Sequence, residues 1–358
     1  MNQDDLFDRM FHQYGGRLQR DQVEPELMKE LDGWLYFFRS IIDSGQEGEE
    51  FITGSIHIDY IDNSTVNAIA TQTGRGEFIG LFLGATMYIY DAFSILATHP
   101  AVFKGIGQTK ARLAKGSIKT HLLRTDKHHF LDINSPLDRR LWILAQGATM
   151  ITQFFLFGHE VGHLIYGHIR YLMSQTGSTE ILEYPVAPLG ANALRSRRVL
   201  EFDADRHGAI VSLNWWGRHS EQSGQDVRFG LDTFYLWGFS LGVLFRLMDM
   251  KTTNPNQEST STHPMPDVRF AHAFICGLEE VMKRFPNRTE EFKTEVSKAS
   301  NDLRELWLEL ELPAESFRNW RQGLGEAVAE YRSTLEQLKD DCLDQLAWTR
   351  SDEIRENR

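Results

Sequence analysis

The 358 residues suffice for one large core and a smaller accessory unit, and 41% hydrophobic with 25% charged residues is the balance of a folded globular chain. A formal net charge of −12 argues against a general binder of nucleic acid or anionic membrane, since both favour basic surfaces. The two cysteines, Cys276 and Cys342, lie far apart and form no CxxC, which excludes a disulfide framework or a cysteine metal site and suits a reducing cytosol. The N-terminal residues lack the basic patch and apolar run of a secretory signal, so a cytoplasmic location is expected.

Residues 1–45 read as amphipathic helix, with Leu31, Leu35, Phe38 and Ile42 near helical spacing. A polar, glycine-containing stretch at 45–50 is a turn or linker. Ile56, Ile58 and Tyr60 alternate with His57 and Asp59, a strand signature, and 66–70 reads as a second strand. Three apolar stretches, at 78–96, 141–164 and 234–247, raise the membrane question. The third is too short to span, and the second runs into ionisable residues that suit a buried helix better than lipid, so no membrane span is expected. Residues 99–134 are basic but poor in aromatics, the pattern of a solvated loop and short helix rather than of a nucleic-acid site.

Asn134-Ser135-Pro136-Leu137-Asp138 is a helix start, with Ser135 as cap and Pro136 in the first turn, and its helix should run to about Tyr171. Residues 174–190 and 251–263 read as loops, and 192–215 as a second long helix. From 276 onward the chain is charged and helical, broken at Pro313, with Leu303, Leu306, Leu335 and Leu338 at helical spacing. The expected fold is α+β and mainly helical, divided into an N-terminal helical segment (1–50), a catalytic core with a small sheet (51–275) and a C-terminal helical extension (276–358).

The chemistry concentrates in Gly158-His159-Glu160-Val161-Gly162-His163. Residues four apart share a helix face, so His159 and His163 can converge on one zinc ion, while Glu160 stands beside the metal where it can deprotonate an attacking water. By itself the motif is only moderately specific. A second match, Glu201-Phe202-Asp203-Ala204-Asp205, lies on the next expected helix. Glu201 can supply the third ligand, and Asp205, one turn on, can accept a hydrogen bond from a ligand histidine. The three-histidine scheme HExxHxxGxxH fails, because Tyr166 and Ile169 stand where glycine and histidine are needed.

HEVGH followed by EFDAD resembles the gluzincin endopeptidases related to the CAAX prenyl protease, whose third ligand comes from an ExxAD motif. Asn67-Ala68-Ile69-Ala70 is similar to that family's edge-strand segment, which implies a substrate-binding strand. Ser261-Thr262-His263-Pro264 with Arg269 is similar to its later motif, which implies that His263 donates to the oxyanion. Gly167-His168 resembles an extension of the first motif. The resemblance implies a zincin-like core acting on protein or peptide substrates. This sequence departs from the family in lacking the Pro-Gly step after Asn67–Ala70 and any convincing span. A phage-exclusion group of bacterial HExxH peptidases is resembled less specifically.

His168 and His207 read as core or surface histidines rather than ligands, and the adjacent pair His128-His129 cannot converge on a helix. Arg269 reads as an ion-pair partner for Asp203 or Asp205. The reading is therefore a zinc peptidase. The alternative is a non-catalytic, zinc-stabilised binding protein that meets a protein partner through its C-terminal helices. In a third reading the enzyme is latent, covered by residues 99–134 or 174–190.

Overall fold

The computed structural model describes residues 2–44, 56–103, 115–123, 139–176, 180–182, 191–222, 228–251 and 266–312. Helix α1, Gln3–Phe11, is closed by a reciprocal cap: Asn2 Oδ1 accepts from Asp5 N (2.7 Å) and Asp5 Oδ2 from Asn2 N (3.3 Å). In α2, Pro25–Ser44, the stripe Leu31, Leu35, Phe38 and Ile42 is buried, and the Phe38 ring stacks on Phe157 at 4.7 Å. The helical spacing seen in the sequence thus marks the face that packs.

A small four-stranded sheet follows, made of β1 (Ile56–Ile61), β2 (Ala68–Thr73), β3 (Gly76–Phe82) and β4 (Glu180–Leu182) in the order β1-β3-β2-β4. β2 and β3 form a tight antiparallel hairpin, β1 runs parallel to β3, and β4 pairs antiparallel with β2. The apolar stretch at 78–96 is not one element. It divides into the end of β3 and helix α3, Leu83–Leu96, where Gly84 lets the chain pass: a Cβ there would stand 2.2 Å from Ser64 O.

Helix α4, Lys115–Leu123, is the described part of the basic segment beyond 103; Ile118 and Leu122 anchor it, and Tyr88 Oη donates to Leu122 O (2.7 Å). The expected helix start at 134–138 and the pair His128-His129 lie outside the described residues. Helix α5, Arg139–Ile165, is central. Its Phe154, Phe157, Val161 and Leu164 join the cluster formed with α2 and the sheet, and its Leu144, Ala148, Ile151 and Phe155 join the cluster formed with the later helices. A helix apolar all round is one buried on every side. Among the described residues α5 is the one helix long and apolar enough to cross a membrane, and 78% of its most apolar window is buried inside the protein.

The chain does not continue helically to Tyr171. Gly167, at φ +72°, ends α5 with its N–H on Leu164 O (3.1 Å), and α6, His168–Thr176, leaves in a new direction. Helix α7, Ala191–Gln222, then crosses α5 at backbone contact. A Cβ on Gly158 would stand 3.0 Å from Gly208 Cα, and one on Gly208 would stand 2.6 Å from Phe155 O. Glycine at this crossing sets the helix spacing.

Helices α8 (Arg228–Lys251), α9 (Pro266–Arg284) and α10 (Thr289–Glu309) complete the second cluster. The division expected at 275/276 falls inside α9, whose Phe270, Ala273, Cys276 and Val281 are all buried in that cluster. Leu303 and Leu306 on α10 are buried there as well, so this stripe faces the core and not a partner. Leu335, Leu338 and everything past 312 lie outside the described residues.

Candidate metal centre

Two helices build the site. On α5, His159 and His163 stand one turn apart with Nε2 atoms 3.0 Å from each other and ring planes at 86°. From α7, Glu201 brings Oε2 to 3.4 Å from His159 Nε2 and Oε1 to 3.8 Å from His163 Nε2. One ligand atom from each of the three lies within 4.8 Å of the other two, and all three residues are buried, Glu201 completely. The Gly158/Gly208 contact permits this, because it brings the Glu201 turn of α7 against the histidine turn of α5.

Asp205 stands behind His159, Oδ1 to Nδ1 3.0 Å, and Arg269 from α9 donates to both of its oxygens, Nε to Oδ2 and Nη2 to Oδ1, each at 2.8 Å. Burial pushes the Asp205 carboxyl up, but Arg269 and then His159 outweigh it and hold it below the usual carboxylate range. Asp205 is therefore an acceptor, His159 donates from Nδ1, and its Nε2 presents a lone pair to the site. For His163, burial holds the ring well below the ordinary imidazole range despite Glu201 nearby, so it is neutral.

The donor set decides what fits. Two imidazole Nε2 atoms and a carboxylate point at one small buried volume, an arrangement that repels itself unless a cation sits among them. Two histidines and a glutamate are a zinc set that leaves a coordination position open for catalysis. The described residues thus contain a buried His-His-Glu group that can hold zinc.

Residues 149–274 match peptidase family M48. The M48 stretch runs from α5 into α9 and carries His159, Glu160, His163, Glu201, Asp205 and Arg269; the hairpin and β1 precede it. Together with the buried group it supports a metallopeptidase. No curated protein and no solved structure matches the chain.

Other expected residues fall in different places. Glu160 is buried on α5 next to His159. His263 lies outside the described residues. The segment Asn67, Ala68, Ile69, Ala70 sits at the start of β2 as a strand should, but β2 is not an edge. Its Ile69, Ala70 and Thr71 are paired with Leu182, Ile181 and Glu180 of β4, so the line expected for substrate is already filled by the chain's own backbone. The reading of 174–190 as loop concealed this, because three paired residues inside a turn-rich stretch carry too little alternation to be seen.

His207 is a buried core histidine with Nδ1 3.1 Å from Tyr166 Oη, and burial holds it down to about 4. His168 is also buried, yet it touches the site: its Nδ1 is 2.9 Å from His163 Nδ1, and its Nε2 is 3.3 Å from Asp203 Oδ2. From the sequence His168 reads as a core or surface histidine and Asp203 as a possible partner of Arg269, and neither reading joins them to the metal centre. The available signal was the glycine immediately before His168.

Proposed function

We propose that this chain is a zinc-dependent peptidase with a zincin-like core, in which His159, His163 and Glu201 hold the metal and Glu160 is the general base. One observation carries the reading: the three buried ligand atoms converge inside the stretch that matches a peptidase family. The resemblance of HEVGH and EFDAD to the CAAX prenyl protease-like gluzincins points to the same set. Cysteine usage and the acidic surface favour a soluble cytoplasmic member.

Bound zinc supplies Lewis acidity, which polarises a carbonyl and eases loss of a proton from water. Glu160 takes that proton and returns it to the leaving amine. Asp205, fixed by Arg269, keeps His159 in the ligating tautomer. His263 is assigned the oxyanion hydrogen bond on the strength of the resemblance. An extended peptide would gain backbone hydrogen bonds along the sheet with little demand on its sequence. It can reach Ile69, Ala70 and Thr71 only after β4 leaves them.

Glu160→Gln tests the assignment. The variant is expected to keep the zinc content of wild type and to lose hydrolysis of a quenched fluorescent peptide mixture by ~10²- to 10⁴-fold, the usual contribution of acid–base catalysis. Undiminished turnover in the metal-loaded variant removes Glu160 from the mechanism.

A further inference from the structure

We propose that His168, itself held by Asp203, is the positioning residue for His163, and that this pair fixes the tautomer in which His163 can ligate a metal. The inference rests on the zinc-site reading and concerns how that site is kept in shape.

The contacts accommodate an arrangement of protons that leaves His163 able to ligate. The oxygen of Asp203 accepts, so His168 Nε2, 3.3 Å from Asp203 Oδ2, carries the hydrogen. A neutral imidazole has one N–H, which leaves a lone pair on His168 Nδ1. His163 Nδ1, 2.9 Å away, must then be the donor, and its Nε2 is bare. That bare nitrogen faces His159 Nε2 and Glu201. The reverse arrangement, with His168 donating through Nδ1, would put the proton on His163 Nε2 and close it to a cation.

Local structure makes the contact. His163 and His168 are five residues apart, and on a continuous helix their side chains would diverge around the axis. Gly167 ends α5 in the left-handed region and turns the chain, so that His168 opens α6 beneath His163. Asp203, two residues past Glu201, reaches the same point from α7. The two histidines of the centre are therefore backed differently: His159 by an aspartate clamped by Arg269, His163 by an imidazole that leans on an aspartate.

The test uses the full-length protein and two readouts that do not involve turnover. Zinc affinity is measured by competition with a chromophoric chelator for wild type, His168→Leu, His168→Asn and Asp203→Asn. Removal of a hydrogen-bond partner behind a ligand histidine typically weakens metal binding 10- to 100-fold, so His168→Leu should fall by about that much. His168→Asn places an acceptor oxygen near the former Nδ1 and should recover most of the loss. Asp203→Asn perturbs packing least, and it should lie between Leu and wild type. Histidine-selective ¹⁵N NMR of the metal-free protein should show His163 protonated on Nδ1 in wild type and redistributed toward Nε2 in His168→Leu. Wild-type zinc affinity in both His168→Leu and Asp203→Asn, or a wild-type His163 protonated on Nε2, overturns the proposal while leaving the metal site standing. Failure of wild type to bind zinc at all overturns the site reading beneath it.

Discussion

Arg269 and Asp205 lie on different helices, 64 residues apart in sequence, and meet through two hydrogen bonds of 2.8 Å with both groups buried. The pair joins α9 to the metal centre, because the same carboxylate accepts from His159. Removing one partner of such a pair leaves a buried charge without compensation. Arg269→Met should therefore destabilise the fold by ~3–5 kcal/mol in denaturant titration. The more telling variant is Asp205→Asn with Arg269→Met together. It removes both charges, so it should recover much of the stability lost in the single variant. Zinc affinity should stay reduced, because the acceptor behind His159 is weakened. Equal stability losses in the single and double variants would show that the ion pair is not what Arg269 contributes.

Glycines on α7 give a contrast in sign. A Cβ on Gly217 would meet nothing within 4 Å, so Gly217→Ala should stabilise the protein by up to ~1 kcal/mol through helix propensity alone. The identical change at Gly208 puts a methyl 2.6 Å from Phe155 O and 3.2 Å from His159 N, both backbone atoms that cannot rotate away. Overpacking of this kind costs ~1–3 kcal/mol and exceeds the propensity gain. Since α5 and α7 must then separate, Gly208→Ala should weaken zinc binding as well as lower the melting temperature, whereas Gly217→Ala should leave zinc affinity alone. A neutral Gly208→Ala would mean the crossing has slack.

Several of these features were legible in the sequence, for definite reasons. His159 and His163 are four apart on one helix, and the helix converts that spacing into adjacency; Glu201 and Asp205 repeat the same arithmetic on α7. β1 could be read because only one face of its residues 56–60 is uniformly apolar. β3 could not: its residues 77–82 are buried on both faces, so the alternation that reveals a strand is absent, and the apolar run merges with α3. The contact of His168 with His163 is not legible in the sequence, because it depends on Gly167 turning the chain, and a helix continued to Tyr171 points the two rings apart. Residues from 276 onward read as an extension because an amphipathic stripe looks the same whether it meets a partner or its own core. Here Leu303 and Leu306 close the cluster with α8.

Asp91 predicts a pH dependence unrelated to the metal. It lies on α3, its Oδ1 is buried with no hydrogen-bond partner among the described residues, and burial raises its carboxyl to about 7. The unfolded chain releases this proton near the ordinary value of 3.8. Between those values the folded state binds more protons than the unfolded one, so the contribution of Asp91 to stability falls as pH rises from about 4 to about 7 and then levels off. Asp91→Asn removes the titration. The variant should match wild-type stability near pH 4 and exceed it at pH 8 by an amount on the order of a few kcal/mol, seen as a higher melting temperature at pH 8 alone. A difference in melting temperature that is the same at both pH values would assign the effect to packing and not to the charge.

The pairing of β4 with β2 carries a prediction about access to the site. Glu180, Ile181 and Leu182 lie antiparallel on Thr71, Ala70 and Ile69, the position an extended peptide would take by strand addition. If the substrate binds there, β4 competes with it, and loosening β4 should increase cleavage. Successive residues of a strand direct their N–H groups to opposite sides, so replacing both Glu180 and Ile181 with proline removes at least one donor aimed at β2. With zinc content matched to wild type, the double variant should cleave extended peptides with a several-fold higher kcat/KM, seen mainly as a lower KM because the cost of displacing β4 is gone. A fall in kcat/KM at unchanged zinc content and melting temperature carries the opposite meaning: the peptide adds to the outer edge of β4, and those three residues are part of the binding surface.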